Sequence, residues 1–253
     1  MGVEEKDESM NVIEHLGELR KRIIITGISF VILLIVSFIY VGDIYKWFVK
    51  DLNVELTVLS PTEILWVYFM LAGVIAIAGT IPVAAWQIWM FVKPGLTNKE
   101  QRVTLSYIPA LFLLFIGGIS FGYFVILPIV LNFLIELSEG HFQTMFTTEK
   151  YFQFVLRLTL PFGILFELPV VIMFLTSLGI IDPYKLTKIR KYAYFVLVII
   201  SVVISPPDFL SDVLIIIPLL LLYECSIFLS KFVYRRRLKK LKKETYSDYL
   251  SGE

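Results

Sequence analysis

The chain has 253 residues, of which 57% are hydrophobic and 18% charged, with a formal net charge of +1 at pH 7. Soluble domains average about 45–50% apolar and about 25% charged, so an ordinary water-soluble globule is excluded and lipid is the main solvent of this chain. The net charge says little by itself, its distribution along the chain a great deal, and no nucleic-acid partner is expected.

The first apolar segment, Ile23–Val41, carries no charge over 19 residues, enough to cross a hydrocarbon core of about 30 Å as a helix. The stretch before it is acidic at its start and has no short apolar run, so no cleavable leader is predicted. Asn11 followed by Glu14 fits a capping box, and Ile13, Leu16 and Ile23 recur at near-helical spacing. That pattern predicts an amphipathic helix at the membrane surface. The second segment is Ile64–Val92, interrupted by Pro82. The third runs from Leu105 to Ile135 with Pro109 and Pro128 inside it, and the fourth, Tyr151–Leu178, holds Pro161, Pro169 and the carboxylate of Glu167. Mid-helix proline removes a hydrogen bond and bends a helix, so five prolines in segments two to four predict curved walls. The fifth segment, Tyr192–Ser205, and the sixth, Val213–Leu229 with Pro218, are short. Fourteen residues give about 21 Å of helix, short of the core, so the bilayer thins there or the connecting turn sits below the outer surface.

Six segments put both termini on one side. Nineteen Lys and Arg residues fall before the first segment, after the sixth and in two of the connections, against three in the other three connections; Arg157 lies inside segment four. The positive-inside rule then predicts cytoplasmic termini. Three parts follow: a cytoplasmic segment over 1–22, a six-helix membrane domain over 23–229, and a basic tail over 230–253 suited to anionic lipid head groups.

Few residues could carry chemistry. Glu167, near the middle of segment four, is a functional candidate because a carboxylate at that depth is costly; its plainer reading is protonation or a bond to a carbonyl freed by Pro169. Glu18 stands four residues before Arg22, a stabilising intrahelical pair. Thr97 with Glu100 fits a capping box for segment three, and Asp208 or Asp212 suits the cap of segment six. Cys225 is the only cysteine, so no intrachain disulfide can form, and inside its apolar run it reads as a small core residue. His15 and His141 show no metal-ligand spacing, and no metal or cofactor is expected. There is no phosphate-cradling glycine loop, no Gly-x-Ser-x-Gly elbow and no nucleophile–base pair, so the chain does not read as an enzyme. From these features alone, a proton-coupled secondary transporter of a small solute is the main rival, although no internal repeat supports it.

A series of short motifs adds a resemblance. His15-Leu16-Gly17-Glu18-Leu19-Arg20-Lys21-Arg22, then Phe91-Val92-Lys93-Pro94-Gly95-Leu96 with Lys99-Glu100-Gln101-Arg102, lie in order along the chain. Phe121-Gly122-Tyr123-Phe124 with Pro128, Phe162-Gly163 with Phe166-Glu167-Leu168-Pro169, and Ser205-Pro206-Pro207-Asp208 complete the series. The chain resembles the TatC family from about residue 12 to residue 232. The resemblance implies an all-α integral membrane protein whose six proline-bent helices form a concave, glove-like wall. It also implies a receptor subunit of the twin-arginine translocase in a prokaryotic cytoplasmic membrane, driven by the proton-motive force. Its implied partners are precursor proteins with paired arginines in their signal peptides and small single-span subunits of the TatA/TatB type, in an oligomeric complex. By the same resemblance Glu18 and Glu100 form the arginine-binding patch, and Glu167 faces a water-accessible interior. Arg20 and Phe91 are further candidates for the signal-peptide site; their plainer roles are a contact to an acid or lipid phosphate and packing of the helix end. Ser205, Asp208 and Asp212 are expected to dock a single-span partner. Lys50-Asp51 stands where the family commonly has a proline, and Asp212 where many relatives have Gln.

Overall fold

The computed structural model describes residues 4–50, 56–96, 101, 104–138, 146–205 and 209–251, and within these the side chains from 15 to 238 except 209 and 210. Its elements are α1 (Glu4–Val49), β1 (Leu56–Thr57), α2 (Pro61–Val92), α3 (Tyr107–Phe121), α4 (Leu127–Ser138), β2 (Phe146–Thr147), α5 (Thr148–Leu165), α6 (Leu168–Leu178), α7 (Pro183–Lys188), α8 (Arg190–Ile204) and α9 (Phe209–Ser251). Among the described residues five stretches are long and apolar enough to cross a membrane: His15–Val49, Pro61–Gly95, Tyr107–Leu137, Thr148–Leu178 and Ser211–Leu238. The chain is therefore a multi-pass helical membrane protein. The fifth of the six sequence segments is α8, whose 15 residues give about 22 Å of helix.

The N-terminal segment differs from its expectation. The helix does not begin at the capping box expected at Asn11: α1 is one helix of 46 residues from Glu4 onward. No proline or glycine pair interrupts the sequence between this stretch and the first apolar segment, so the helix runs on into the span.

Spans three and four are each broken beside a proline. A π turn over Gly122–Ile126 separates α3 from α4, and Pro128 follows two residues later. Proline cannot donate to the carbonyl four residues back and clashes with it, here that of Phe124, inside the widened turn. In span four the carbonyl four residues before Pro169 belongs to Leu165, the last residue of α5. The helix stops there and restarts at Leu168. Pro82, Pro161 and Pro218 instead sit inside continuous helices.

The chain forms two compact units, Met1–Phe112 with Met145–Gln153, and Leu113–Thr144 with Phe154–Glu253. In the first, α1 packs along α2 through ring pairs, Phe38 with Phe69 at 4.8 Å and Tyr45 with Tyr68 at 5.9 Å between centroids. The two short strands pair in parallel, Leu56 opposite Phe146 and Thr57 opposite Thr147. Thr57 Oγ1 donates to the Phe146 carbonyl and Thr148 Oγ1 to the Thr57 carbonyl, each at 3.3 Å. Ser60 then caps α2, accepting from the Thr62 N–H, with Pro61 in the first turn where no donor is missed.

In the second unit α3 and α5 approach backbone to backbone. A Cβ on Gly118 would stand 2.5 Å from the Phe162 carbonyl oxygen, and one on Gly122 2.8 Å from the Thr159 Cα. Small residues permit this approach, the main source of association where lipid supplies no hydrophobic drive. Thr176 and Ser230 share a 2.7 Å hydrogen bond between α6 and α9. Ile215, Leu219, Tyr223 and Ile227 form the buried face of α9. Cys225 is exposed, contrary to the core position expected for it. In lipid an apolar run does not distinguish a buried side chain from one facing the hydrocarbon.

Candidate functional site

The sequence candidates fall in three places. The first is the end of the α1–α2 pair nearest Val92. His15 stacks on Phe91 with ring centroids 4.2 Å apart. One turn along α1, Glu18 Oε1 accepts from Arg22 Nη2 at 2.9 Å, the intrahelical pair expected. Arg22 also crosses to α2: its Nη1 donates to Gln87 Oε1 at 3.1 Å and to Met90 Sδ at 3.4 Å. Arg20 is exposed on the same turn as Glu18. Helical periodicity produces this grouping, since positions 15, 18 and 22 share one face of α1 and 87, 90 and 91 one face of α2. Just beyond, Gln101 Nε2 donates to the carbonyls of Lys93 and Leu96 at 3.2 and 3.1 Å, and Trp89 Nε1 donates to the Gln101 carbonyl at 3.3 Å. Glu100 and its proposed capping partner Thr97 lie outside the described residues, as does His141.

The second place is the break in span four. Glu167 precedes α6 in a helical conformation, φ −73° and ψ −22°, and makes no side-chain cap bond. Its N–H donates to the Ile164 carbonyl at 3.1 Å and its carbonyl accepts from Val171 N–H at 3.0 Å. Both carboxylate oxygens are enclosed and have no hydrogen-bond partner among the described residues. The side chain as a whole is half-buried, and the backbone of the break gives its carboxylate no donor.

The third place is the α8–α9 turn. Ser205 ends α8 in an extended conformation, and its hydroxyl donates to Asp212 Oδ1 across the turn. Asp212 lies in the first turn of α9, where a negative charge complements the helix dipole. Arg157, nine residues into α5, donates from Nη2 to the Val203 carbonyl at 2.9 Å, covering one of the unpaired carbonyls at the C-terminal end of α8. Asp208 lies outside the described residues.

The chain matches the family described as "Sec-independent protein translocase protein (TatC)" over residues 14–218. The chain belongs to the TatC family. It is 58% identical over 230 residues to the Sec-independent protein translocase protein TatCd of Bacillus subtilis (strain 168), covering 91% of this chain and 95% of that one. It is 37% identical to TatC of Aquifex aeolicus (strain VF5) over 90% of this chain and 98% of that one. A crystal structure of the twin arginine translocase receptor TatC superposes with a TM-score of 0.74, at 37% identity, over 87% of this chain and 99% of that chain.

TatC is a protein translocase component and not an enzyme, so this chain is a subunit of the twin-arginine translocase and works with other subunits and with protein substrates. Membership replaces the solute-transporter alternative. Sequence reasoning passed over a carboxylate of this TatC chain. Glu224, inside the sixth apolar run, accepts from Arg190 Nη2 at 2.8 Å and from the Tyr194 hydroxyl, joining α8 to α9. Its signal was present, since a carboxylate within an apolar run is the criterion that selected Glu167. Gln87 and Met90 were also missed, having no charge to draw attention. Among the described residues no group of three His, Cys, Asp or Glu is placed to hold a metal.

Proposed function

We propose that this chain is the receptor subunit of the translocase, binding twin-arginine signal peptides of folded precursors on the cytoplasmic side and recruiting small single-span partners of the TatA/TatB type. Six crossings with both termini cytoplasmic, in the cytoplasmic membrane, complete the proposal; α8 is then the short fifth crossing. One observation carries it: Glu18 and Phe91 belong to the same end of the α1–α2 pair, with Arg20 exposed beside them. Glu100 precedes the tethered Gln101 in sequence. Two carboxylates on separate elements suit two adjacent guanidinium groups, which keep their charge and match carboxylates with a planar fork. Phe91 offers apolar surface to the residues flanking the arginines. Exposed ion pairs contribute only about 0–1 kcal/mol each, so the apolar stretch of the signal peptide supplies the remaining affinity. Glu167 then offers an enclosed acceptor to a polar group of the signal peptide or of a partner helix, and Ser205, Asp208 and Asp212 mark the edge where that helix docks.

The test is a titration of a fluorescent twin-arginine signal peptide onto membranes holding the full chain and its partner subunits. Replacing Glu18 and Glu100 together by Gln should abolish the difference between an Arg-Arg peptide and its Lys-Lys control. Unchanged binding in the double variant would sink the assignment.

A further inference from the structure

We infer that Arg22 is an internal stand-in for a signal-peptide arginine: it occupies Glu18 in the unbound receptor, and Gln87 with Met90 keeps it in place when Glu18 is handed to the incoming guanidinium. This rests on the assignment of Glu18 to the arginine-binding patch.

The geometry has two parts. The bond to Glu18 runs from Nη2 to Oε1, so the second carboxylate oxygen takes no part in it. A guanidinium arriving from outside can engage both oxygens in the stronger bidentate form. Arg22, four residues along the same helix, approaches from the side and makes one bond. It is the weaker of two competitors of identical chemistry, which is what an exchangeable occupant requires.

The other end of the guanidinium is held separately. Nη1 donates to Gln87 Oε1 and meets Met90 Sδ, both on α2, and the Arg22 side chain is only 18% exposed against 32% for Glu18. Losing Glu18 therefore leaves Arg22 with an acceptor in a partly shielded place. Without Gln87 that acceptor is gone, and Arg22 would be held to Glu18 more tightly. An ordinary surface pair has no such second seat, since a charge released there goes to water. The stand-in also keeps Glu18 from being an unpaired acid, open to stray cations, before a precursor arrives.

Three variants of the full chain, in membranes with its partner subunits, test this by titration with a synthetic Arg-Arg signal peptide. Arg22→Gln removes the competitor and should tighten peptide binding by about two- to fivefold, the scale of a partly shielded intrahelical pair. Gln87→Leu removes the second seat and should weaken binding by a similar factor. In the Arg22→Gln background, Gln87→Leu should have no effect, because its action runs through Arg22. Weaker binding by Arg22→Gln, or a Gln87→Leu effect of equal size with and without Arg22, overturns the inference in favour of a bolt between α1 and α2. Where Arg22→Gln does not accumulate in membranes, Arg22→Met serves, since it keeps the aliphatic stem, removes the competing cation and should also tighten binding. Glu18→Gln separates the two levels of failure. If it leaves binding unchanged, the receptor-site assignment itself fails; if it weakens binding while Arg22→Gln also weakens it, only the stand-in fails.

Discussion

The two acids singled out in this chain, Glu18 and Glu167, sit in opposite circumstances. Glu18 lies on an unbroken helix, is 32% exposed, and has an arginine on its own face at hydrogen-bond distance. Glu167 lies at a helix break, with both oxygens enclosed and without partners among the described residues. The units around them are built differently as well. In the first, two long helices meet through side chains, rings and one arginine crossing. In the second, helices are interrupted and meet through glycine backbones. A continuous helix displays an acid with a neighbour four residues away. A broken one holds an acid with both oxygens enclosed and offers it no donor among the described residues. The first arrangement suits exchange with a charged ligand from water; the second suits a ligand that arrives already desolvated.

The largest expected effect concerns the glycine contact. Gly118→Leu would drive a side chain into the Phe162 carbonyl, and overpacking of this kind costs about 1–3 kcal/mol or more. It should cut the level of folded protein recovered in mild detergent, while Gly117→Leu, whose Cβ meets nothing within 4 Å, should not. Equal losses would mean that backbone proximity does not hold the second unit together.

Next comes the paired acid. With Glu18 and Glu100 both changed to Gln, affinity for an Arg-Arg peptide should fall at least about tenfold, or about 1.4 kcal/mol, with no loss of thermal stability in detergent. The unpaired acid should behave in the reverse way. Glu167→Gln removes an unpartnered charge from an enclosed position, and should raise the unfolding temperature while lowering the yield of exported precursor. The stabilisation expected is about 1–3 kcal/mol, on the scale of a desolvated group without partners. A fall in stability would show that the carboxylate has a structural partner after all and would erase the contrast with Glu18.

The smallest effect lies at the α8–α9 turn. Arg157→Gln removes a cation from the C-terminal end of α8 and should destabilise that turn by about 0.3–1 kcal/mol. Hydrogen exchange confined to residues near 201–205 reports it. Ser205→Ala and Asp212→Ala should give less than additive losses, since each removes the same bond.

Much of this was legible in the sequence, for reasons that differ by residue. The apolar runs located the spans because lipid demands them whatever the packing. The five prolines of segments two to four predicted bends alike, but only the structure shows a π turn before Pro128, a two-residue interruption before Pro169, and unbroken helices at Pro82 and Pro161. The Glu18–Arg22 pair follows from helical spacing, whereas the acceptors of Arg22 on α2 are 65 and 68 residues away and follow from no local pattern. The same remoteness hid the Glu224 partners. Cys225 was misplaced because hydrophobicity marks the interior in water and loses that meaning in lipid. Glu100 and Asp208 were selected from motifs and lie outside the described residues, so they rest on the sequence alone.

The parallel pairing of β1 with β2, only two residues on each side, acts as a parity check on insertion. The chain leaves β1 through α2 and comes back to β2 after α3 and α4, so the pairing exists only when the number of crossings between the strands is even. A nascent chain that inverted one of those spans, or left one out, would put Leu56 and Phe146 on opposite faces of the bilayer, with no possibility of meeting. The ladder is too small to matter as a source of stability, yet it can form only where an even number of crossings separates its two strands.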